Sequence, residues 1–217
     1  MAGAPVRTWR NHEREFRVYP DRFYKRSFRP EEFLTNIHGE TVVPHQRTAR
    51  LENEAQCLHF ILENTNIPVP KVLEAYEENG SFILVTELIT GRDIKDLETT
   101  EQALVMKEVE SHVAALCSLR SDRPGGPTGI MCPLPRILQR FPAGTAWVPK
   151  KSAESEYGFC HCDLGWPNII IDSDYPRIRA IIDWEYAGYW PEFFELHTIA
   201  TCDRPEHSSR ALRNATG

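Results

Sequence analysis

Two apolar runs in the C-terminal part of the chain constrain the fold more than any other feature of the sequence. Residues 169–171 and 178–182 are rich in isoleucine, and a stretch containing Asp, Ser, Tyr and Pro separates them. β-Branched runs bounded by turn residues predict an antiparallel β-hairpin. Residues of such a hairpin pair symmetrically about its turn. A turn centred between Tyr175 and Pro176 would place Asn168 opposite Asp183 at the open end.

The polar residues around this hairpin suggest a chemical site. Asn168 and Asp183 carry side-chain oxygens, which are the ligands that Mg²⁺ prefers. Asp163 lies five residues before Asn168 and could reach the same site as a base. Together with His161, these residues reproduce the H-x-D-x-x-x-x-N spacing of a kinase catalytic loop. The alternative explanation is that the two aspartates only cap turns.

The rest of the chain predicts an α+β organisation. Residues 14–28 read as two strands around Tyr19-Pro20-Asp21, and residues 82–89 read as an interior strand that follows a partner at 72–76. Two amphipathic helices are expected at 46–64 and 99–119. The segments 30–46 and 121–156 read as mostly irregular, with a short helix near 137–140. The apolar face of the first helix is expected to be Leu51, Ala55, Leu58 and Leu62.

A second pair of charged residues lies upstream. Glu54 falls on the apolar face of the first helix, where an unpaired carboxylate would be costly to bury. Lys25, on a strand, is the only lysine before it. A strand lysine paired with a helix glutamate is how kinases hold the nucleotide phosphates. Four arginines remain alternative partners, namely Arg22, Arg26, Arg47 and Arg50.

Composition excludes several classes of protein. The net charge of −6 is a poor basis for non-specific nucleic-acid binding. No apolar stretch is long enough to predict a membrane span, and the first 15 residues lack the apolar core of a secretory signal. The six cysteines do not suggest a disulfide framework, so we expect reduced thiols and a cytoplasmic protein.

These motifs resemble the aminoglycoside phosphotransferase and choline kinase group within the protein-kinase-like fold, most closely its fungal phosphotransferase-family members. The resemblance covers about residues 14–120 and 157–197. The matching residues are Lys25, Glu54, Ile67-Pro68-Val69-Pro70, Ile83 to Leu88 with Gly91, Phe159 to Asp163, Asn168, and Ile181 to Glu185 with Ala187-Gly188.

The resemblance implies a two-lobed fold. Residues 1–89 would form an N-lobe with an antiparallel sheet and one helix, and residues 90–217 a mainly helical C-lobe with a catalytic β-hairpin. ATP and Mg²⁺ would bind between the lobes, and the γ-phosphoryl group would pass to a hydroxyl of a small molecule. The implied roles are a base (Asp163), metal ligands (Asn168 and Asp183), a phosphate contact oriented by a carboxylate (Lys25 and Glu54), and backbone contacts to adenine (Glu87, Leu88 and Ile89).

Some features depart from the family pattern. No glycine-rich loop precedes Lys25, and the regions that build the acceptor site in the family look short here, before Tyr157 and after Glu195. These departures predict weak transfer to standard aminoglycosides. They also keep open a catalytically inactive or truncated kinase-like binding protein. A zinc or protein-interaction module, suggested by Cys160-His161-Cys162, would require the motif spacing to be accidental.

The remaining candidate is a set of acidic and aromatic residues after the hairpin. A cluster of this kind would suit a cationic acceptor, whereas a solvated, acidic helix start after Pro191 is the alternative explanation. The residues expected to contact the acceptor are Trp184, Glu185, Glu192 and Glu195.

Overall fold

The N-terminal part of the chain forms a five-stranded antiparallel sheet, whose strands lie in the order β1 (Arg7–Arg10), β2 (Arg14–Val18), β3 (Arg22–Ser27), β7 (Ser81–Glu87) and β6 (Val72–Glu78). The computed structural model describes residues 3–140, 151–152, 155–191 and 193–195. This part also contains the strands β4 (Leu34–Thr35) and β5 (Thr41–Val42). The turn at residues 19–21 and the interior position of β7 agree with the sequence prediction, because β7 has β3 and β6 as neighbours.

Two features of this part were not predicted. Strand β1 precedes the two expected strands, so the first hairpin turn of the sheet is Asn11 to Glu13 and not Tyr19 to Asp21. The segment expected to be irregular holds the small β4–β5 hairpin. Both elements are short and lack the apolar alternation that reveals a strand in a sequence.

Helix α1 (Arg47–Asn64) packs between the sheet and the rest of the molecule. Leu51 and Ala55 pack with Phe82 and Leu84 of β7. Further along, Leu58 and its neighbours join the larger core. The expected apolar face is correct except at its end, where Ile61 is buried and Leu62 is 40% exposed. The larger core thus continues from α1 into the C-terminal part.

The C-terminal part contributes two helices and six short strands among the residues described. They are β8 (Arg92–Asp93), α2 (Thr99–Ser118), β9 (Arg120–Ser121), α3 (Pro135–Leu138), β10 (Tyr157–Cys160), β11 (Ile169–Ile171), β12 (Ile178–Ile181) and β13 (Gly188–Trp190). The main core joins α1, α2 and the β11–β12 hairpin. In the described part of the chain, no helix is long and apolar enough to cross a membrane. The lobe boundary at residue 89 stays a prediction.

Candidate active site

Strand β3 and helix α1 bring Lys25 and Glu54 together. The Lys25 Nζ atom lies 2.6 Å and 2.9 Å from the two carboxylate oxygens of Glu54. The predicted pairing is therefore confirmed. The four alternative arginines are engaged elsewhere: Arg22 with Asp21, Arg26 with Glu15 and Glu32, Arg47 with backbone carbonyls, and Arg50 with Glu13 and Glu185.

Lys25 also contacts the aspartate that follows the hairpin. Its Nζ atom is 2.8 Å from Oδ1 of Asp183. Burial by itself lowers the pKa of Lys25, but the Asp183 and Glu54 carboxylates outweigh burial and raise it above its ordinary value. Burial likewise works against ionisation of Asp183, yet the Lys25 ammonium lowers the pKa of Asp183 to about 2. The pair is charged at neutral pH.

The β11–β12 hairpin positions the two expected metal ligands, but in a different register from the predicted one. Ile169 pairs with Ile181, and the Ile182 amide donates to the Asn168 carbonyl at 2.9 Å. Asn168 is therefore opposite Ile182, and the prediction that it faces Asp183 is wrong by one residue. An irregularity at Ile170/Ile171 shifts the register.

Asp183 lies just beyond the hairpin and has a left-handed backbone, with φ of 68°. Aspartate is among the residues that tolerate this conformation at modest cost. The left-handed turn separates strand β12 from the segment 184–187. It allows the Asp183 carboxylate to reach Lys25, although Asp183 is outside the ladder.

Asp163 belongs to the loop that enters the hairpin. The side-chain Nδ2 atom of Asn168 lies 2.7 Å from the backbone carbonyl oxygen of Asp163 and 3.3 Å from its carboxylate. Burial raises the pKa of Asp163, and the nearby Asp183 carboxylate raises it further, while Arg136 and Asn168 oppose the change. A raised pKa makes this carboxylate a better proton acceptor near neutral pH.

His161 fastens the loop that contains Asp163 to the hairpin. Its Nε2 atom is 3.0 Å from the Ile182 carbonyl, and its Nδ1 atom accepts from the Asp163 amide at 3.2 Å. Burial lowers the pKa of His161 to about 4, so the ring is neutral at pH 7. Both ring nitrogens are engaged with the backbone, which argues against the zinc interpretation of Cys160-His161-Cys162.

The residues present fit a magnesium ion. The side-chain Nδ2 atom of Asn168 is held by Asp163, so the side-chain oxygen Oδ1 is the atom of Asn168 that could bind a metal. The Asp183 carboxylate uses Oδ1 for Lys25, and its side chain is 33% exposed. Two oxygen donors with water and phosphate oxygens completing the shell are the usual protein contribution to a Mg²⁺ site.

The sheet supplies an aromatic surface on the same face as Lys25, which the sequence prediction missed. In the ladder, Phe16 lies opposite Lys25 and Trp9 opposite Phe16. Paired residues of an antiparallel ladder share a face. Trp9 and Phe16 are stacked at 5.1 Å, and Phe16 and Phe23 at 6.1 Å. The two-residue spacing of Phe23 and Lys25 on one strand was a signal that could have revealed this surface.

The turn between β1 and β2, which the sequence prediction missed, contains no glycine. The Asn11 side-chain oxygen accepts from the amides of Glu13 and Arg14 at 2.9 Å and 2.7 Å. These amides are therefore already occupied.

The predicted adenine contact lies at the end of strand β7. The backbone amides of Glu87 and Leu88 donate to the carbonyls of Lys71 and Asp21. Neither of these two amides is therefore free to bind adenine. The next residue of the predicted contact, Ile89, is half-buried.

The prediction that an acidic and aromatic cluster contacts the acceptor is wrong for the three cluster residues that the structure describes. Trp184 is fully buried, packs against His161 with the two rings tilted, and donates from Nε1 to the Ile181 carbonyl. Glu185 is buried between two arginines, and Glu195 is buried with a carboxylate oxygen 3.0 Å from the Cys162 amide. Because these side chains are buried, the alternative of a solvated, acidic helix start is also wrong for them. Glu192 lies outside the described residues.

The described geometry defines a class of protein by its fold, which is two-lobed and protein-kinase-like. Residues 133–215 match the model of the phosphotransferase enzyme family. A 43-residue stretch is 49% identical to probable choline kinase 3 of Arabidopsis thaliana, covering 20% of this chain and 12% of that protein. Over these stretches the chain is similar to the phosphotransferase enzyme family and to choline kinases.

Solved structures of aminoglycoside phosphotransferases share the fold. The enzyme APH(3'')-Id from Streptomyces rimosus superposes with a TM-score of 0.58 at 18% identity, covering 89% of this chain and 77% of that chain. A putative enzyme from Ralstonia eutropha gives 0.56 at 16% identity, covering 90% and 63%. The Streptomyces enzyme has also been solved with ADP and streptomycin. The chain spans about an eighth of the curated relative it matches and less than two thirds of the Ralstonia protein.

Proposed function

We propose that the protein is an ATP- and Mg²⁺-dependent phosphotransferase that transfers the γ-phosphoryl group to a hydroxyl of a small molecule. One observation carries the proposal. Lys25 contacts both Glu54 and Asp183, and Asp183 is close enough to Asp163 to raise its pKa. A phosphate contact, a metal ligand and a base thus lie around one point. The ADP bound in the Streptomyces relative supports a nucleotide as donor.

Each residue has a distinct task in this proposal. Lys25, oriented by Glu54, binds the nucleotide phosphates as a positive charge that the buried carboxylate keeps in place. Asp163 accepts the proton of the acceptor hydroxyl at its carboxylate. Asn168 holds Asp163 by its amide nitrogen and offers its carbonyl oxygen, together with the Asp183 carboxylate, to Mg²⁺. When bound, the metal would neutralise charge on the phosphates.

The adenine would lie against the aromatic surface of the sheet, on the side where β7 ends. Phe16 and Phe23 are half-buried on the face that carries Lys25, so a purine could stack on them and reach the segment 87–89. Since the Glu87 and Leu88 amides are already bonded, we propose the Ile89 amide as the donor to the base. This refines the expected contact within that segment.

One observation favours a second candidate, a kinase-like protein that binds nucleotide without transferring phosphate. Asn11 occupies two amides of the β1–β2 turn, which a glycine-rich loop would leave free for phosphates.

The cytoplasmic location and the nature of the acceptor belong to the proposal as well. We propose a small, hydroxyl-bearing acceptor. We do not propose that it is a cation, because the acidic cluster that would attract a cation is buried.

The test is formation of ADP by the parent and by Asp163→Asn. With Mg²⁺-ATP and a panel of hydroxylated amines, sugars and aminoglycosides, the parent should transfer phosphate to at least one acceptor. The variant keeps the shape of the site but loses the base, so the rate should fall by about 100-fold or more while nucleotide binding persists. Nucleotide binding without ADP formation by the parent would favour the binding protein.

A further inference from the structure

One face of helix α1 is buried against the segment that follows Asp183. Arg50, Asn53, Glu54 and Cys57 follow the i, i+3, i+4, i+7 pattern of a single helix face, and each is buried. Glu54 reaches the segment through Lys25 and Asp183. The other three bind it directly. Helix α1, which carries Glu54, is therefore attached to residues 183–187 by four side chains of one helix face.

Asn53 makes the central attachment. Its amide nitrogen donates to the carbonyls of Glu185 and Ala187, at 3.1 Å and 2.9 Å. The Cys57 sulfur lies 3.4 Å from the same Ala187 carbonyl. Asn53 has no accessible surface, so water cannot replace these bonds. Gly126 crosses so close to this side chain that a methyl group there would collide with the Asn53 oxygen.

Arg50 makes the charged attachment. The Glu185 carboxylate lies between the guanidinium groups of Arg14 on β2 and Arg50 on α1, and all three side chains are buried. Arg50 also donates to the Tyr186 hydroxyl at 2.7 Å and pairs with Glu13 of the β1–β2 turn. Glu185 thus links the sheet, helix α1 and the segment after Asp183. Removing one partner would leave a buried charge uncompensated.

We infer that Arg50 and Asn53 are positioning residues for the phosphate contact. By fastening α1 to residues 185–187, they hold Glu54 against Lys25. The catalytic consequence of this inference rests on the proposed function. The attachment of α1 to residues 185–187 is independent of that function.

The first test measures the attachment without activity. Asn53→Leu keeps the side-chain size and removes both donated bonds, so hydrogen exchange of the α1 amides in the nucleotide-free protein should rise about tenfold or more relative to the amides of β7. Leu58→Ala is the control, since Leu58 lies on the same helix and cannot hydrogen-bond the segment. Its effect should follow global stability and appear equally in α1 and β7. Equal exchange of α1 and β7 in Asn53→Leu would overturn the inference.

The second test measures the catalytic consequence by a double-mutant cycle. Asn53→Leu should lower kcat/KM for ATP by about tenfold or more, through misplacement of Lys25. In a Glu54→Gln background, where Lys25 has already lost its orienting charge, the same substitution should cost less than about twofold, because both changes act through one contact. A purely structural role would instead give equal losses in both backgrounds and would overturn the positioning role.

The two tests separate this inference from the proposed function. If the parent forms no ADP with any acceptor or with water, the proposed function fails, and the exchange measurement alone decides the attachment. If the parent is active but exchange of α1 is unchanged in Asn53→Leu, the attachment fails and the proposed function remains.

Discussion

At the scale of single residues, Lys25 is the charge on which the site depends. It contacts two carboxylates, one of which orients it and one of which we propose as a metal ligand. A buried carboxylate is tolerated only with such a partner. Replacing either acid therefore changes both the local stability and the charge presented to a nucleotide, and an experiment has to distinguish these effects.

We expect Asp183→Ala to abolish stabilisation by Mg²⁺-ATP. A ligand that binds only the folded state raises the melting temperature, and the variant lacks one of the two proposed metal ligands. The measurement is the melting temperature with and without Mg²⁺-ATP. Asp174→Ala, an equal change of charge in the exposed turn of the same hairpin, is the control and should respond like the parent. An undiminished shift in Asp183→Ala would contradict the metal assignment.

Glu32 provides a pH-dependent prediction away from the site. Its carboxylate accepts two hydrogen bonds from Arg26, at 2.6 Å and 2.8 Å, and this lowers the pKa of Glu32 from 4.5 to about 2. A lowered pKa stabilises the fold above the unfolded value, and the contribution is lost as the pH falls through the folded value. Glu32→Gln should therefore lower the free energy of unfolding by about 1 kcal/mol at pH 7.

That difference should shrink as the pH is lowered from about 4.5 towards 2. Urea unfolding of parent and variant at pH 7, 4 and 3 measures it. Glu31→Gln, which makes the same charge change at the exposed neighbouring position, is the control and should show almost no effect at any of these values. A constant difference between Glu32→Gln and the parent across this range would show that the Arg26 pair is not its cause.

At the scale of elements, helix α1 determines how the parts of the molecule meet. One side packs on the sheet through Leu51 and Ala55, and another enters the main core through Leu58 and Ile61. Two of its polar residues, Arg50 and Asn53, are equally buried, since they bind the segment after Asp183. An amphipathic pattern identifies such a helix but understates its burial, because the polar residues on its face read as solvent-exposed.

Two leucines on this helix test the corrected core. Leu58 is 1% exposed and Leu62 is 40% exposed. Leu58→Ala should lower the free energy of unfolding by about 2–4 kcal/mol, because it leaves a cavity. Leu62→Ala should cost less than about 1 kcal/mol. Urea unfolding gives both values, and equal losses would restore the face first expected from the sequence.

At the scale of the whole molecule, close backbone contacts join distant segments. Gly188 on β13 lies against Gly125, and the two segments exchange hydrogen bonds between Gly125 and Tyr189. A Cβ atom at Gly188 would be 2.6 Å from the Gly125 carbonyl oxygen. This distance is shorter than real contacts allow, so only glycine permits the approach.

Gly188→Ala should therefore lower the free energy of unfolding by about 2 kcal/mol or more, since the backbone of one segment must shift. Gly165→Ala is the matched control, because its new Cβ would have no neighbour closer than 3.6 Å. The control should change stability by less than about 0.5 kcal/mol. If both variants lost the same stability, the close approach would not be the cause.

The sequence by itself determined the local elements and the spacing of the catalytic loop. The strand hairpin, helices α1 and α2 and the order of Asp163, Asn168 and Asp183 all follow from signals within a few residues of one another. The sequence also favoured the Lys25–Glu54 pair, because a buried carboxylate needs a partner and Lys25 is the only upstream lysine. Four arginines remained alternative partners, and the structure decided between them.

Only the tertiary structure decided which polar residues face the solvent. Glu185 pairs with Arg14 and Arg50, which are 171 and 135 residues away, so no local pattern could show that this acid is buried. The same holds for Trp184 and Glu195. The register of the hairpin differs by one residue from the predicted one. An irregularity at Ile170/Ile171 shifts the pairing, and no sequence signal near these residues indicates it. Contacts between distant segments carry these decisions, and a sequence pattern describes only neighbours.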